Sequence, residues 1–290
     1  MGFEFYLYAA SIPCKIANTI VTGNGMRFGR IQKFRTRAAR VQILATVVLA
    51  VLLCTATLLA VLMFLPQPSG DQLPDFGPLE TQVRKAEFFA FLDPIVADIS
   101  ADVSADRLFI LKTAGRLEAK QSLSWLTRRK LNRIARDYKV ETEDADLTTE
   151  VLPALQRRVD IVPRSLVFVQ AAKESGWGTS RFAIQGNNLF GQHCYAAGCG
   201  ITPTGIKSGA KFDVAKFKTV KASVASYVRN LNTHPRYEEF RLVRQSLRDA
   251  DATLTGTVLA DSLDGYSERG EAYVAEIKVL IRQNALEPYD

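Results

Sequence analysis

The chain has 290 residues, of which 47% are hydrophobic and 23% are charged. This length and balance allow one or two domains with a buried core, and they exclude a wholly disordered or collagen-like chain. The formal net charge of +7 is concentrated in residues 1–65, which hold seven Lys or Arg and one acidic residue. The remainder is nearly neutral and has no phosphate-binding Gly-rich loop, which argues against a nucleic-acid partner.

Residues 41–65 form an apolar run long enough to span a bilayer as a helix. Residues 1–40 carry basic side chains just before this run, and the positive-inside rule then predicts a cytoplasmic N-terminus. We therefore expect a single-pass membrane anchor, with everything after Pro66 on the outer side of the membrane. A cleaved signal peptide and a buried core helix are the alternatives. The basic and apolar pattern begins at Met26, so translation from Met1 or Met26 stays open.

Residues 66–78 contain four prolines and predict a linker. Residues 79–147 follow as a helical N-terminal part, because apolar residues recur at helical spacing over 79–99 and 105–138. This spacing predicts two or three helices.

Residues 148–290 are expected to form a separate C-terminal domain. A strand-like stretch, Ala210–Thr219, predicts a small hairpin. The remaining predicted elements are helices near Glu150–Arg158, from Pro163 to about Ser175, and near Val220–Asn232, Pro235–Arg248 and Gly270–Asn284. The expected fold class is mainly α with a small β-hairpin, preceded by one transmembrane helix.

Glu174 ends an apolar helix, on the same face as Leu166 and Gln170. Trp177 offers an apolar surface nearby, and both desolvation and the helix dipole disfavour the ionised carboxylate. We therefore expect a raised pKa at Glu174, as a general acid requires. For an isolated glutamate, a solvated helix end would be the better interpretation.

Cys194 and Cys199 are separated by four residues and would face an oxidising compartment in this topology. A small disulfide-closed loop is the favoured interpretation. A metal site is disfavoured because His193 alone is nearby and His234 is distant along the chain. No metal or cofactor is predicted.

The run Glu174-Ser-Gly-Trp-Gly178, followed by Ser180-Arg-Phe-Ala183 and Gly186-Asn-Asn-Leu-Phe-Gly191, closely resembles the motif of bacterial glucosaminidases that cleave peptidoglycan. Leu231-Asn-Thr-His-Pro-Arg-Tyr237 and Gly265-Tyr-Ser-Glu-Arg-Gly-Glu-Ala-Tyr273 are similar to the Bax-like branch of that group. The resemblance implies a lysozyme-like α+β fold with a cleft, and cleavage after N-acetylglucosamine with Glu174 as the acid.

The resemblance also implies further site residues. Tyr266 matches a tyrosine that the family places near the cleft, whereas Tyr273 fits a core position. Ser175, Trp177, Asn187, Asn188 and Phe190 are the candidate substrate-binding residues. The two asparagines and the phenylalanine are equally compatible with folding a loop.

Glycosidases usually pair two carboxylates, and the second one is open here. Asp213 is the only acidic residue between Glu174 and Glu238, and it is either catalytic or a plain hairpin aspartate. If Asp213 is not used, the N-acetyl group of the substrate is the alternative. A lytic transglycosylase and an inactive wall-binding protein are the competing functions.

Overall fold

The computed structural model describes residues 42, 44–57, 72–203 and 212–290. Contacts divide the chain into two units, Met1–Gln67 and Pro68–Asp290. In the first unit, residues 44–57 are helical. Among the described residues, no helix is both long and apolar enough to cross a membrane. Of the predicted span, residues 41–65, positions 41, 43 and 58–65 lie outside the described residues.

The second unit begins with a long helix, α1 (Thr81–Glu118), followed by α2 (Trp125–Asp137). The Glu80 carboxylate caps α1 by accepting a hydrogen bond of 2.8 Å from the Gln82 N–H. The sequence predicts an interruption near residues 100–104, but α1 continues there because Val103 is buried and the turn contains no Gly or Pro. The helix ends instead before Ser124, whose hydroxyl caps α2.

The rest of the second unit contains seven shorter helices and a small sheet within the described residues. A π-helical turn, Leu147–Val151, leads into α3 (Leu152–Arg158). The elements that follow are α4 (Arg164–Ser175), α5 (Arg181–Gly186), β1 (His193–Cys194), β2 (Gly200–Ile201), β3 (Asp213–Ala215), α6 (Val220–Thr233), α7 (Glu238–Asp249), α8 (Gly256–Leu259) and α9 (Glu271–Gln283). Short 3-10 turns occupy Pro235–Tyr237, Ala260–Tyr266 and Glu287–Tyr289. The mainly helical expectation is confirmed.

The predicted hairpin at Ala210–Thr219 is instead one strand of a three-stranded antiparallel sheet. β3 lies in the centre, with Val214 opposite both His193 of β1 and Ile201 of β2. The flanking strands have two residues each, too few to give an alternating pattern in the sequence. The sheet therefore has one more strand than predicted, and its outer strands come from upstream in the chain.

Helix α4 forms the centre of the core, and most of its side chains are buried. It packs against α1, α8 and α9. Phe89 of α1 contacts the rings of Phe168 and Trp177, with centroids 5.7 and 5.3 Å apart. Fully burying one such side chain contributes about 1.5–3 kcal/mol, more than an exposed ion pair contributes, so apolar packing holds α1 to α4.

The start of α4 is fixed by polar contacts that reach across the fold. The Asp290 side chain accepts hydrogen bonds from the Ser165 N–H (2.9 Å), the Ser165 hydroxyl (2.6 Å) and the Gly256 N–H (2.7 Å). Gly256 lies so close that a Cβ there would collide with the Ser165 hydroxyl. These contacts hold α4 rigidly, which fixes the position of the residues at its other end.

Candidate active site

Glu174 lies in the last turn of α4, where the chain reverses sharply. Gly176 terminates the helix in the left-handed conformation at φ 58°, which glycine adopts at little cost. The buried Ser175 hydroxyl then accepts a hydrogen bond of 2.8 Å from the Gly178 N–H. This turn directs Glu174 outward at the end of a buried helix.

Glu174 opens into a cleft of about 750 Å³. The cleft is lined by Lys139, Glu174, Phe190, Gly191, Gln192, His193, Tyr195, Ser226, Tyr227, Arg229, Asn230, Thr233, His234, Arg236, Tyr237 and Tyr266. Much of this lining belongs to α6 and the turn that follows it. Among the described residues that line the cleft, Glu174 is the sole carboxylate.

A chain of hydrogen bonds supports the Glu174 carboxylate from behind. The Tyr273 hydroxyl donates to Glu174 Oε1 at 3.0 Å. The Gln170 side-chain amide donates to the Tyr273 oxygen at 3.0 Å, and the Tyr227 hydroxyl donates to Gln170 Oε1. Gln170, Tyr227 and Tyr273 are all buried, so the network orients one carboxylate oxygen of Glu174 from the core side.

Stacked aromatic rings form the walls around this network. Phe190 stacks on Tyr227 with ring centroids 4.0 Å apart, and Tyr266 stacks on Tyr273 with centroids 5.5 Å apart. Tyr237 lies 6.0 Å from Tyr266. Flat, partly polar surfaces of this kind suit a sugar ring, which presents both C–H faces and hydroxyl groups.

Burial raises the pKa of Glu174, and the nearby Glu276 raises it further. The hydrogen bond from Tyr273 and the charge of Lys173 oppose this shift without cancelling it. Glu174 is exposed as a residue because its side chain faces the cleft. Its carboxyl group is nevertheless partly desolvated by the surrounding protein. Burial also raises the pKa of Tyr227, Tyr266 and Tyr273, which therefore stay protonated.

Several predicted binding residues make contacts within the fold. Trp177 does not line the cleft but packs on α1, under the Lys85 ammonium at 5.1 Å. The Asn187 side chain donates to the Phe217 carbonyl at 3.1 Å. The buried Asn188 side chain donates to the Gln192 and Ala215 carbonyls, both at 2.9 Å. Ser175 is buried in the turn described above.

Phe190 and Tyr266, by contrast, both line the cleft beside Glu174. Asp213 lies on β3, where its carboxylate accepts a hydrogen bond of 3.0 Å from the Thr202 hydroxyl. It is not among the residues that line the cleft. Cys194 and Cys199 form the predicted disulfide, which closes the loop between β1 and β2 next to His193 of the cleft.

Tyr273 and Gln170 belong to the hydrogen-bond network behind Glu174, but the sequence does not assign them to the site. Tyr273 is expected in the core, and it is indeed buried, but its hydroxyl contacts Glu174. A signal for Gln170 exists, since a polar residue one helical turn before Glu174 interrupts an otherwise apolar helix face.

Potential metal ligands are sparse around the cleft. His193 and His234, which are distant in the chain, both line it together with Glu174. Within the described parts of the chain, however, no group of three or more His, Cys, Asp or Glu side chains is arranged to hold a metal ion.

Comparison with known proteins identifies the family. The model of the mannosyl-glycoprotein endo-beta-N-acetylglucosaminidase family matches residues 150–286. The chain is also 38% identical to protein bax of Escherichia coli (strain K12) over 207 residues, covering 70% of this chain and 71% of that protein. The chain belongs to the Bax-like glucosaminidase family. No solved structure matches the chain significantly.

Membership of the glucosaminidase family indicates a glycan-cleaving hydrolase. The matched range contains Glu174, the hydrogen-bonded residues behind it and nearly all of the cleft lining. Lys139 is the exception, since it precedes the matched range. The family assignment and the cleft therefore concern the same part of the molecule.

Proposed function

We propose that the protein hydrolyses the glycan strand of peptidoglycan after N-acetylglucosamine, with Glu174 as the general acid. The observation that carries this proposal is the position of Glu174. It is the sole carboxylate among the described residues lining a cleft with aromatic walls, and its pKa is raised by burial. A raised pKa increases the protonated fraction of this carboxyl group at a given pH, which favours its use as a general acid.

In the proposed mechanism, the Tyr273 hydroxyl holds Oε1 of Glu174, so the proton resides on Oε2 facing the cleft. Glu174 transfers this proton to the glycosidic oxygen as the bond from that oxygen to the anomeric carbon breaks. Water then attacks the anomeric carbon, and its proton returns to the Glu174 carboxylate. The products end in a reducing N-acetylglucosamine.

The positive charge that develops at the anomeric carbon needs a second group. Asp213 is one candidate, and the N-acetyl group of the substrate is the other. The N-acetyl group is favoured, because Glu174 is the sole carboxylate among the described residues that line the cleft. We therefore propose substrate assistance, with Tyr266 available to hydrogen-bond the sugar or the water.

The test uses the purified full-length chain beside Glu174→Gln, with peptidoglycan as substrate and mass spectrometry of the product ends. Glutamine keeps the shape of the side chain but has no proton to give, so activity should fall by about 10²–10⁴-fold. Glu239→Gln is the matched control, because Glu239 is exposed on α7 and does not line the cleft.

The product ends separate this proposal from its competitors. Reducing N-acetylglucosamine ends that form with the wild-type protein and with Glu239→Gln, but not with Glu174→Gln, would support the proposal. Anhydro ends would assign a lytic transglycosylase instead. Wall binding without turnover by any variant would assign an inactive binding protein.

We also propose that residues 41–65 anchor the chain in the inner membrane and leave the catalytic part in the periplasm. The apolar run, its basic flank and the disulfide in the catalytic part support this topology. The full-length chain should stay in the membrane pellet after alkaline carbonate extraction. Release into the supernatant would count against the anchor.

A further inference from the structure

The cleft carries more positive charge than catalysis by Glu174 requires. Lys139, Arg229 and Arg236 line it, against the single carboxylate of Glu174 among the described lining residues. All three cations are solvent-exposed. When Glu174 is protonated as a general acid, these charges have no opposing charge on the described cleft lining.

These cations come from two separate parts of the fold. Arg229 projects from α6, and Arg236 lies in the 3-10 turn Pro235–Tyr237 that follows it. Lys139 follows the end of α2. Because different elements converge on one cleft, the charge is a property of the cleft and not of one solvated helix face.

Within the described chain, none of the three forms an ion pair. The Arg229 guanidinium donates to the Asp137 carbonyl at 3.0 Å and lies 5.8 Å from the Tyr138 ring. The Arg236 guanidinium donates to the Gly265 carbonyl at 3.3 Å. Glu238, two residues from Arg236, pairs instead with Arg157 at 3.9 Å.

Five basic side chains elsewhere in the fold differ in this respect. Lys173, Arg164, Arg248, Arg269 and Lys278 each lie within 2.5–2.9 Å of a carboxylate. The two cleft arginines are held by carbonyl oxygens and, at Arg229, by a tyrosine ring, which orient a guanidinium without neutralising it. A groove lined by unpaired cations attracts anionic ligands and raises their association rate.

We propose that this basic cleft binds the carboxylates of the stem peptides on the glycan strand, so that the preferred substrate is peptide-bearing, anionic peptidoglycan. This inference rests on the proposed function and names its substrate class. The glycan itself is uncharged at its N-acetylglucosamine units, whereas each stem peptide carries carboxylates next to the strand. Guanidinium groups suit carboxylates because their N–H groups match the two oxygens.

The experiment compares two forms of uncrosslinked peptidoglycan strands with the full-length protein. One form is native, and the other is amidated on its carboxylates, which removes negative charge but keeps the glycan and the peptide length. The native strands should show kcat/KM about tenfold higher at low salt, and this preference should shrink as salt rises. Cleavage sites should be the same in both.

Variants then assign the preference to the cleft. Arg229→Gln and Arg236→Gln should each reduce the native-to-amidated ratio of kcat/KM by about threefold, because each removes one exposed charge. Arg128→Gln is the matched control, since Arg128 is exposed on α2 and does not line the cleft. A general folding defect lowers both rates and leaves the ratio unchanged, so the ratio reports the charge.

The outcomes separate this inference from the proposed function. Equal cleavage of native and amidated strands by the wild-type protein would overturn the inference and leave the glucosaminidase proposal standing. A preference that survives both arginine variants would also overturn it. Absence of cleavage of either strand would contradict the proposed function and the inference together.

Discussion

Two carboxylates of this fold, Asp160 and Glu174, have opposite surroundings. Asp160 is 2% exposed, and its oxygens meet Arg248 at 2.9 and 3.0 Å and Arg107 at 3.4 Å. Glu174 faces the cleft and receives one hydrogen bond from the neutral hydroxyl of Tyr273. The Asp160 carboxylate therefore contacts two arginine side chains, whereas the Glu174 carboxylate contacts a tyrosine hydroxyl.

This difference decides which carboxylate can exchange a proton. Burial raises the pKa of Asp160, but the three guanidinium groups of Arg107, Arg244 and Arg248 outweigh burial and lower it below the ordinary value. At Glu174, burial prevails and the pKa is raised. Asp160 therefore stays ionised to lower pH than an ordinary aspartate, whereas Glu174 keeps its proton to higher pH than an ordinary glutamate.

Replacing Asp160 tests the structural half of this comparison and should have the largest effect. Asp160→Asn removes the anion that Arg107 and Arg248 contact and that offsets the buried charge of Arg244. Breaking a buried ion pair costs about 3–5 kcal/mol of folding free energy. We expect a loss of this size in urea unfolding at pH 7, followed by circular dichroism.

The pH dependence follows from the direction of the pKa shift. Because the pKa of Asp160 is lower in the folded state than the ordinary 3.8, its stabilisation is present above pH 3.8 and is lost as the pH falls through the folded value. Asp160→Asn should lack this acid dependence. Asp98→Asn is the control: it removes an exposed pair with Lys221, worth at most about 1 kcal/mol. Equal losses of folding free energy in the two variants would show that the Asp160 ion pairs stabilise the fold no more than the exposed Asp98–Lys221 pair does.

Tyr273→Phe tests the catalytic half and should have a smaller effect. The hydroxyl stabilises ionised Glu174, so its removal should raise the pKa of Glu174 further. The alkaline limb of the pH–activity profile should move to higher pH, and kcat should fall about tenfold because the carboxylate loses its orientation. Stability at pH 7 and product ends should be recorded in parallel.

Tyr289→Phe is the matched control for that variant. The Tyr289 ring packs on Phe168, and the residue is 39% exposed and does not line the cleft. It should change neither kcat nor the pH profile. A decrease in kcat at Tyr273→Phe without a shift of the alkaline limb would show that the hydroxyl does not act through the pKa of Glu174. An unchanged kcat would show that Tyr273 acts by packing alone.

Local patterns predict the part of the site that lies close together in the chain. The apolar helix, the glycine turn and Glu174 fall within residues 162–178, and the two cysteines are five positions apart. Each of these features depends on residues that are close to one another in the sequence. The helix α4 and the disulfide were therefore predictable, as was the raised pKa of Glu174.

Contacts between distant parts of the chain were not predictable in this way. Tyr273 is 99 residues from Glu174, and Tyr227 is 57 residues from Gln170. Helical spacing correctly placed Tyr273 in the core, but spacing does not specify which group its hydroxyl meets. The arginines around Asp160 are equally remote, since Arg107 and Arg248 come from α1 and α7.

Asp213→Asn tests whether a second carboxylate, besides that of Glu174, takes part in the proposed reaction. Asp213 hydrogen-bonds Thr202 and lies outside the residues that line the cleft, so we expect less than about a tenfold loss in kcat. Thr202→Val is the matched variant, because it removes the same hydrogen bond and keeps the carboxylate. Similar small losses in both variants would assign Asp213 to the sheet and favour substrate assistance. A loss of about 10²-fold or more in Asp213→Asn alone would make it a catalytic group, and the single carboxylate of the cleft would then no longer explain the reaction.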